Sequence, residues 1–231
     1  NGAKVYGAKD TSVPARQEFN TVGSAFERLL DIAEAYSING CVYYQDADVL
    51  SELLSAYDLL NERYYNENST LYGNWYTWEI GIPQSFLKAL LLLGDKVPQE
   101  KLAKYLTAVS RYVPADNKRG ATTGILTSPS TMTGANLLDK AASSAMIAAL
   151  NPDSERMNQC AADVKTVLKY SNNTNSAINS ADDGFWKDGS YIQHEGIAYN
   201  GGYGAVLYQQ LGVFLHMFHG SPWDFAEAYA D

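Results

Sequence analysis

Cysteine and histidine are scarce in this sequence, which has two of the first and three of the second among 231 residues. Cys41 and Cys160 can form one disulfide bridge or none, so they define no disulfide framework. No spacing is typical of a zinc site, and neither a phosphate-binding loop nor a Gly-x-Ser-x-Gly elbow is present. The longest apolar run, Ala89 to Leu93, is far too short to span a membrane. The sequence therefore predicts neither a metal centre nor a membrane protein.

Basic residues are also few. Seventeen lysines and arginines stand against 26 acidic residues, which gives a formal net charge of −9. This charge argues against nucleic acid as the partner, because a nucleic-acid-binding domain gathers positive charge against phosphates. It also counts mildly against a polyanionic substrate, unless basic residues gather locally.

Apolar residues recur at three- and four-residue spacing along most of the chain, which is typical of amphipathic helices. Eight helices are predicted, and they begin near Phe19, Asp46, Pro83, Pro98, Gly134, Asn151-Pro152, Ala205 and Ser221-Pro222. Asp116 to Met132 lacks this spacing and is predicted to be a loop. With no convincing run of strands, we predict an all-α fold of helical hairpins. The last helix is cut almost as soon as it starts, so we expect a piece of a larger all-α domain.

One stretch breaks the helical pattern, DGFWKDGSYIQHEGIAYNGGYG at residues 183–204. Its glycines let the backbone turn tightly and approach a ligand closely. A glycine- and aromatic-rich loop on a rigid helical frame is a usual setting for a site. His194 and Tyr203 are therefore the first candidates for chemistry, with a plain loop histidine and a core tyrosine as the alternatives. A histidine beside a tyrosine can lower the tyrosine pKa from about 10 toward neutrality, as a general base requires.

Two shorter motifs accompany this stretch. Residues 74–79, NWYTWE, place three aromatic residues within four positions. They cannot all point inward, so we expect some to be exposed and to stack on sugar rings, since the negative charge disfavours nucleobases. Thr133-Gly134-Ala135-Asn136 opens the fifth predicted helix, with Thr133 as its expected cap. Asn136 falls in the first turn, where an amide can bind a carboxylate.

Other chemistries have weaker support. His216 and His219 are three residues apart on an apolar helix, but no carboxylate accompanies them, so we interpret them as core or groove residues. Glycoside hydrolysis needs two facing carboxylates. The carboxylates available for that role are Glu79, Asp139, Asp183 and Glu195. None of them stands in a setting that singles it out.

Taken together, these motifs resemble the polysaccharide lyases that include hyaluronate, chondroitin AC and xanthan lyases. The resemblance rests on NWYTWEIGIPQ at 74–84, TGAN at 133–136, the stretch at 183–204 and GSPW at 220–223. It implies an incomplete (α/α) toroid with a long cleft, of which residues 1–231 are a truncated α-helical catalytic domain. It also implies β-elimination at a uronic acid: the C5 proton is removed, the bond to O4 breaks, and a C4=C5 double bond forms.

By matching motif positions, the resemblance implies that Asn136 binds and neutralises the uronate carboxylate. His194 and Tyr203 would handle protons: Tyr203 donates to the leaving oxygen, and either residue is the base. The residues implied in substrate binding are Asn74, Trp75, Tyr76 and Tyr199. The resemblance implies an acidic polysaccharide as substrate, no metal or cofactor, and secretion from the cell.

The chain departs from the family pattern in two ways. In the aromatic platform, which is Trp75 and Tyr76, the second residue is tyrosine where many relatives have tryptophan; a tyrosine still stacks. The family's catalytic arginines and β-sandwich domains lie beyond Asp231, so the missing part of the enzyme, in the same or a second chain, is an implied partner. The basic residues near the motifs are Lys118, Arg119, Lys140 and Lys187. Charge complementary to a polyanion is therefore expected mainly from the missing part.

Two other functions stay open from the sequence. A non-catalytic carbohydrate-binding helical module would keep the aromatic platform but lack enough of the site for chemistry. A glycoside hydrolase on a similar toroid would depend on a carboxylate such as Glu79 or Asp183.

Overall fold

A computed structural model describes residues 15–70, 73–116, 132–171, 183–194 and 196–225. These residues belong to two compact units, one ending at Pro114 and the other formed by residues 115–116 and 132–225. The loop predicted over Asp116 to Met132 lies almost wholly outside the described ranges. Among the helices in those ranges, none is long and apolar enough to cross a bilayer.

Helical hairpins form the first unit. Its α-helices are α1 (Ala15–Ser37), α2 (Ala47–Arg63), α3 (Ile82–Leu93) and α4 (Gln99–Tyr112), with a π-helical turn (Thr77–Gly81) before α3 and a 3₁₀ turn (Gly94–Lys96) after it. Helix α1 packs against α2 and α3, and α4 packs against the same two helices. Helix α2 starts as predicted, because Asp46 Oδ1 accepts hydrogen bonds from the N–H groups of Asp48 and Val49. Helix α1 starts earlier than the predicted Phe19.

Buried aromatic rings hold the first unit together. Tyr57 and Phe86 stack with 4.7 Å between ring centroids, and Tyr65 and Tyr112 stack at 4.4 Å. Phe26 joins the two pairs, since its centroid is 5.1 Å from Phe86 and 5.6 Å from Tyr65. Each such ring buries a large apolar area, and ring pairs add to that burial about 0.5–1.5 kcal/mol. The rings therefore connect α1 to α3, and through Tyr57 and Tyr112 they also connect it to α2 and α4.

The second unit combines helices with a small sheet. Its elements are α5 (Gly134–Leu150), α6 (Ser154–Val167), β1 (Gly184–Phe185), β2 (Tyr191–Gln193), β3 (Ile197–Ala198) and α7 (Tyr203–Phe218). Helix α5 packs against both α6 and α7. Small buried residues such as Ala141, Ser144 and Ala145 let its neighbours approach closely.

The antiparallel sheet, ordered β1-β2-β3, lies within the stretch at 183–204 that was predicted to be loop. Phe185 pairs with Tyr191, and Gln193 pairs with Ile197. The prediction of a loop is wrong where these three short strands form. Strands of two or three residues are too short to show the alternation by which a strand is recognised. The predicted all-α class holds for the rest of the described chain.

Neither cysteine is in a disulfide. Cys41 is half-buried and Cys160 is buried, and both are free. Burial raises the pKa of the Cys160 thiol to about 11. Cys160 is therefore protonated at neutral pH and acts as a small apolar residue.

The aromatic core provides a matched pair of tests. Tyr65 Oη donates to the Trp78 carbonyl oxygen at 3.0 Å, whereas the buried Tyr57 hydroxyl has no hydrogen-bond partner in the described ranges. Tyr65→Phe should lower the free energy of unfolding by about 0.5–1.5 kcal/mol, because it removes a buried hydrogen bond. Tyr57→Phe should leave it unchanged or slightly higher. Urea denaturation measures both, and equal losses in the two variants would show that the bond to the Trp78 carbonyl adds no stability.

Candidate active site

His194 and Tyr203 are brought together by a tight reversal after β2. The backbone of His194 has a φ angle of 56°, in the left-handed region that residues other than glycine seldom enter. The reversal brings the imidazole to the first residue of α7, so that His194 Nε2 lies 2.8 Å from Tyr203 Oη. A proton can pass between the two groups at that distance, and the histidine tautomer decides which atom donates. Strained backbone of this kind costs about 1–3 kcal/mol and is often found at functional sites.

Tyr199 adds a third ring beside this pair. It meets the Tyr203 ring edge-on with 4.9 Å between centroids and lies 6.3 Å from the His194 ring. Its carbonyl accepts hydrogen bonds from the N–H groups of Gly202 and Gly204, which fixes the turn into α7. A Cβ atom on Gly202 would lie 2.7 Å from the Tyr199 ring, so any other residue there would displace that ring. His194 and Tyr199 are exposed and Tyr203 is half-buried, so the cluster is open to a ligand.

Asn136 lies in the first turn of α5, as predicted, but the residue that caps this helix is not Thr133. Thr133 Oγ1 donates to the Asp183 carboxylate. The cap comes from Gln193, whose Oε1 accepts the Ala135 N–H at 3.1 Å. The predicted Thr133 cap is therefore wrong, because a carboxylate takes the hydroxyl and a glutamine 58 residues away takes the helix end.

Gln193 was not among the residues predicted for the site. Its Oε1 also accepts the Tyr191 hydroxyl at 2.9 Å. Burial raises the pKa of Tyr191, which keeps its phenol protonated and able to donate. The two residues are two positions apart in β2 and so share one face of the strand. If β2 had been recognised in the sequence, Tyr191 and Gln193 would have been expected on one face of that strand, beside α5.

The aromatic motif belongs to the first unit. Trp78 is fully buried and stacks on Tyr65, whereas Tyr76 is 42% exposed and Trp75 is half-buried. The expectation that these aromatic side chains do not all point inward is confirmed. Asn74 Oδ1 accepts the Tyr76 N–H at 3.1 Å and so forms a local turn.

The carboxylates considered for hydrolysis are poorly placed for that reaction. Glu79 and Asp139 are only 1% and 3% exposed, so neither can flank a sugar ring. Asp139 Oδ1 instead accepts the Gln210 amide at 2.8 Å, which joins α5 to α7. Asp183 is hydrogen-bonded at the start of α5. Glu195 is outside the described ranges.

Two histidines and a lysine near the motifs are placed as follows. His216 and His219, predicted to be core or groove residues, are exposed, which contradicts the core alternative alone, and His219 Nδ1 lies 3.4 Å from the Asp224 carboxylate. Lys140, one of the basic residues near the motifs, is fully buried because α5 is covered by both α6 and α7. Residues 118–119 are not described. Within the described ranges, no three His, Cys, Asp or Glu side chains are grouped to hold a metal ion.

Helical hairpins, a hydrogen-bonded His–Tyr pair and an asparagine in the first turn of a helix together match the framework that the sequence resemblance implies. The chain belongs to polysaccharide lyase family 8: its residues 6–230 match the profile described as the N-terminal alpha-helical domain of that family. The family and the helical fold class predicted from the sequence are both confirmed.

Relatives of known name agree with this membership. The chain is 34% identical over 197 residues to the hyaluronate lyase HylB of Enterococcus faecalis, covering 82% of this chain and 19% of that one. It is 26% identical over 212 residues to the xanthan lyase of Bacillus sp., covering 90% and 20%. The solved chondroitin AC lyase of Streptomyces coelicolor A3, in complex with chondroitin sulphate, has a TM-score of 0.78 at 27% identity, covering 96% and 29%. The chain thus spans about a fifth of the length of these two curated relatives.

The start of α5 depends on Gly134, which has a φ angle of +56°. A Cβ atom there would overlap the Tyr191 hydroxyl and lie 2.5 Å from Gln193 Oε1. Gly134→Ala should lower the free energy of unfolding by about 2 kcal/mol or more, since strain and overlap add. The control is Gly212→Ala in α7, where a Cβ meets no described atom within 4 Å; it should raise the free energy by up to about 1 kcal/mol. Thermal unfolding measures both variants, and an unchanged free energy of unfolding in Gly134→Ala would contradict the packing described around this glycine.

Proposed function

We propose that this chain is the N-terminal part of the catalytic α-domain of a secreted lyase that cleaves a uronate-containing polysaccharide by β-elimination. The observation that carries the proposal is the 2.8 Å contact between His194 Nε2 and Tyr203 Oη. Family membership supports the reaction class. The relatives named for hyaluronate, xanthan and chondroitin support a polymer of this kind as substrate.

The reaction needs one proton removed and one proton donated. A base takes the C5 proton, the electron pair forms the C4=C5 double bond, and O4 leaves with a proton supplied by an acid. Tyr203 is the proposed acid at O4, and either His194 or Tyr203 is the base at C5. Because the two groups share a hydrogen bond, the proton removed from C5 and the proton given to O4 can move through one pair.

Asn136 is the proposed partner of the uronate carboxylate. Removing the C5 proton places negative charge on that carboxylate as an enolate-like intermediate forms. A neutral amide in the first turn of α5 can donate hydrogen bonds to it, and the positive end of the helix dipole favours the same charge. The side chain is partly exposed, as this role requires.

The rest of the enzyme is part of the proposal. The chain has a net charge of −9, and Lys140 is buried. Attraction of an acidic polymer therefore has to come mainly from the part of the enzyme beyond this chain, in the same or a second polypeptide. Secretion is proposed because a long polysaccharide does not enter a cell and must be met outside it.

Tyr203→Phe tests the proposed acid. In the full-length enzyme, loss of the phenolic proton should lower kcat by about 10²–10⁴-fold on the polymer that the wild type cleaves. The far-ultraviolet absorbance of the C4=C5 product, read with hyaluronan, chondroitin and xanthan in turn, measures this loss and names the substrate. The control is Tyr208→Phe, an exposed tyrosine farther along α7, which should keep wild-type turnover.

Other results of the same assay would contradict the proposal. Unchanged turnover in Tyr203→Phe would remove the role of Tyr203. New reducing ends without the unsaturated product would indicate a hydrolase, and saturable binding without any product would indicate a carbohydrate-binding module.

The aromatic platform has its own test. Trp75→Ala should raise KM severalfold with little change in kcat, because stacking is expected to hold the ground state and the transition state alike. Trp75→Phe keeps a ring at the same position and should recover most of the lost affinity. A KM unchanged in Trp75→Ala would show that this side chain is not part of the binding surface.

A further inference from the structure

The proposed reaction needs two side chains from distant parts of the sequence to meet one sugar. Asn136 is on α5, and His194 follows β2. Chemistry of this kind is sensitive to position, and a shift of about 1 Å can cost about 10²-fold in rate. Some contact must therefore hold the start of α5 against the end of β2.

Gln193 makes that contact. Its Oε1 accepts the Ala135 N–H at 3.1 Å and the Tyr191 O–H at 2.9 Å. Ala135 immediately precedes Asn136, and Gln193 immediately precedes His194. One side-chain oxygen therefore joins the two backbones one residue before each proposed site residue.

The burial of this junction indicates a position that is closely defined. Gln193 is 3% exposed, and both Tyr191 and Ala135 are fully buried. An apolar side chain of the same size could fill this space, yet it would take away the acceptor that the buried Ala135 N–H and the buried Tyr191 hydroxyl share. The glutamine oxygen satisfies both donors, and Gly134 leaves room for it.

A second polar contact, between α5 and α7, also fixes the position of α5. Asp139 lies three residues after Asn136, and Gln210 lies seven residues after Tyr203, so each pair shares a helix face. Gln210 Nε2 donates to Asp139 Oδ1 at 2.8 Å. The two contacts together relate α5 both to β2 and to α7.

We propose that Gln193 is a positioning residue, which holds Asn136 in register with the His194–Tyr203 pair by capping α5. This inference rests on the proposed lyase function and adds to it a residue that touches neither the polymer nor the reacting atoms. What Gln193 supplies is an acceptor for two donors, so the shape of the side chain alone is not sufficient.

Two variants separate the acceptor from the shape. Gln193→Met keeps the length and loses the acceptor, whereas Gln193→Glu keeps an oxygen that both donors can reach at a helix N-terminus that favours negative charge. In the full-length enzyme, Gln193→Met should lower kcat on the order of 10²-fold with KM changed far less. The kcat of Gln193→Glu should be at least about tenfold higher than that of Gln193→Met.

Hydrogen exchange provides a measurement that does not depend on activity. In peptides covering residues 132–138 of the same enzyme, the Ala135 amide should exchange about tenfold faster in Gln193→Met than in the wild type, and Gln193→Glu should restore its protection. Unchanged exchange in Gln193→Met would overturn the cap itself.

The kinetic results overturn the proposal in other ways. A kcat in Gln193→Met close to that of the wild type, or equal losses in Met and Glu variants, would show that the acceptor does not position the site. A wild-type enzyme that makes no unsaturated product from any uronate polymer would instead overturn the proposed function. The two failures are therefore distinguishable.

Discussion

The start of α5 is held by side chains from the segment that carries the His–Tyr pair, and the second unit depends on this constraint. A helix end has N–H groups without partners in its own helix. Here Gln193 takes the N–H of Ala135, while Asp183 takes the hydroxyl that would otherwise cap the helix. Each bond contributes only about 0.5–1.5 kcal/mol net. Their effect is mainly on position, because they join the start of α5 to residues 50 and 58 positions further along the chain.

In the first unit, packing of the buried rings determines which aromatic side chains of the motif at 74–79 remain exposed. Trp78 fills the core against Tyr65, whereas the neighbouring Tyr76 is exposed and Trp75 is half-buried. The chain changes helix type at this point. Pro83 has no N–H to donate to the carbonyl four residues before it, and the N–H of Ile82 bonds the carbonyl of Thr77, five residues back. Such π turns are frequent at functional sites.

Local patterns in the sequence were sufficient for the helices and insufficient for the contacts between them. Helices α5 and α2 begin where they are predicted to begin, because spacing and capping act within a few residues. The strands were missed because two or three residues cannot show alternation. The cap of α5 was assigned to Thr133 because its real partner, Gln193, is remote in sequence. The glycines around His194 and Tyr203 indicated a candidate site, but the 2.8 Å contact between these two residues follows from a backbone reversal that no local pattern predicts.

The acidity of the chain fits the proposed chemistry once attraction and catalysis are separated. Coulombic attraction of a polyanion acts over about a Debye length, close to 10 Å, and can come from elsewhere in a large enzyme. The charge that develops on the uronate during proton removal is handled at hydrogen-bond distance, where an oriented neutral amide is effective. A buried lysine such as Lys140 can serve neither purpose from its position in the core. An acidic N-terminal part that provides aromatic surface, amide and proton-transfer groups is therefore consistent with a polyanionic substrate, provided that the cations are supplied by the remaining part.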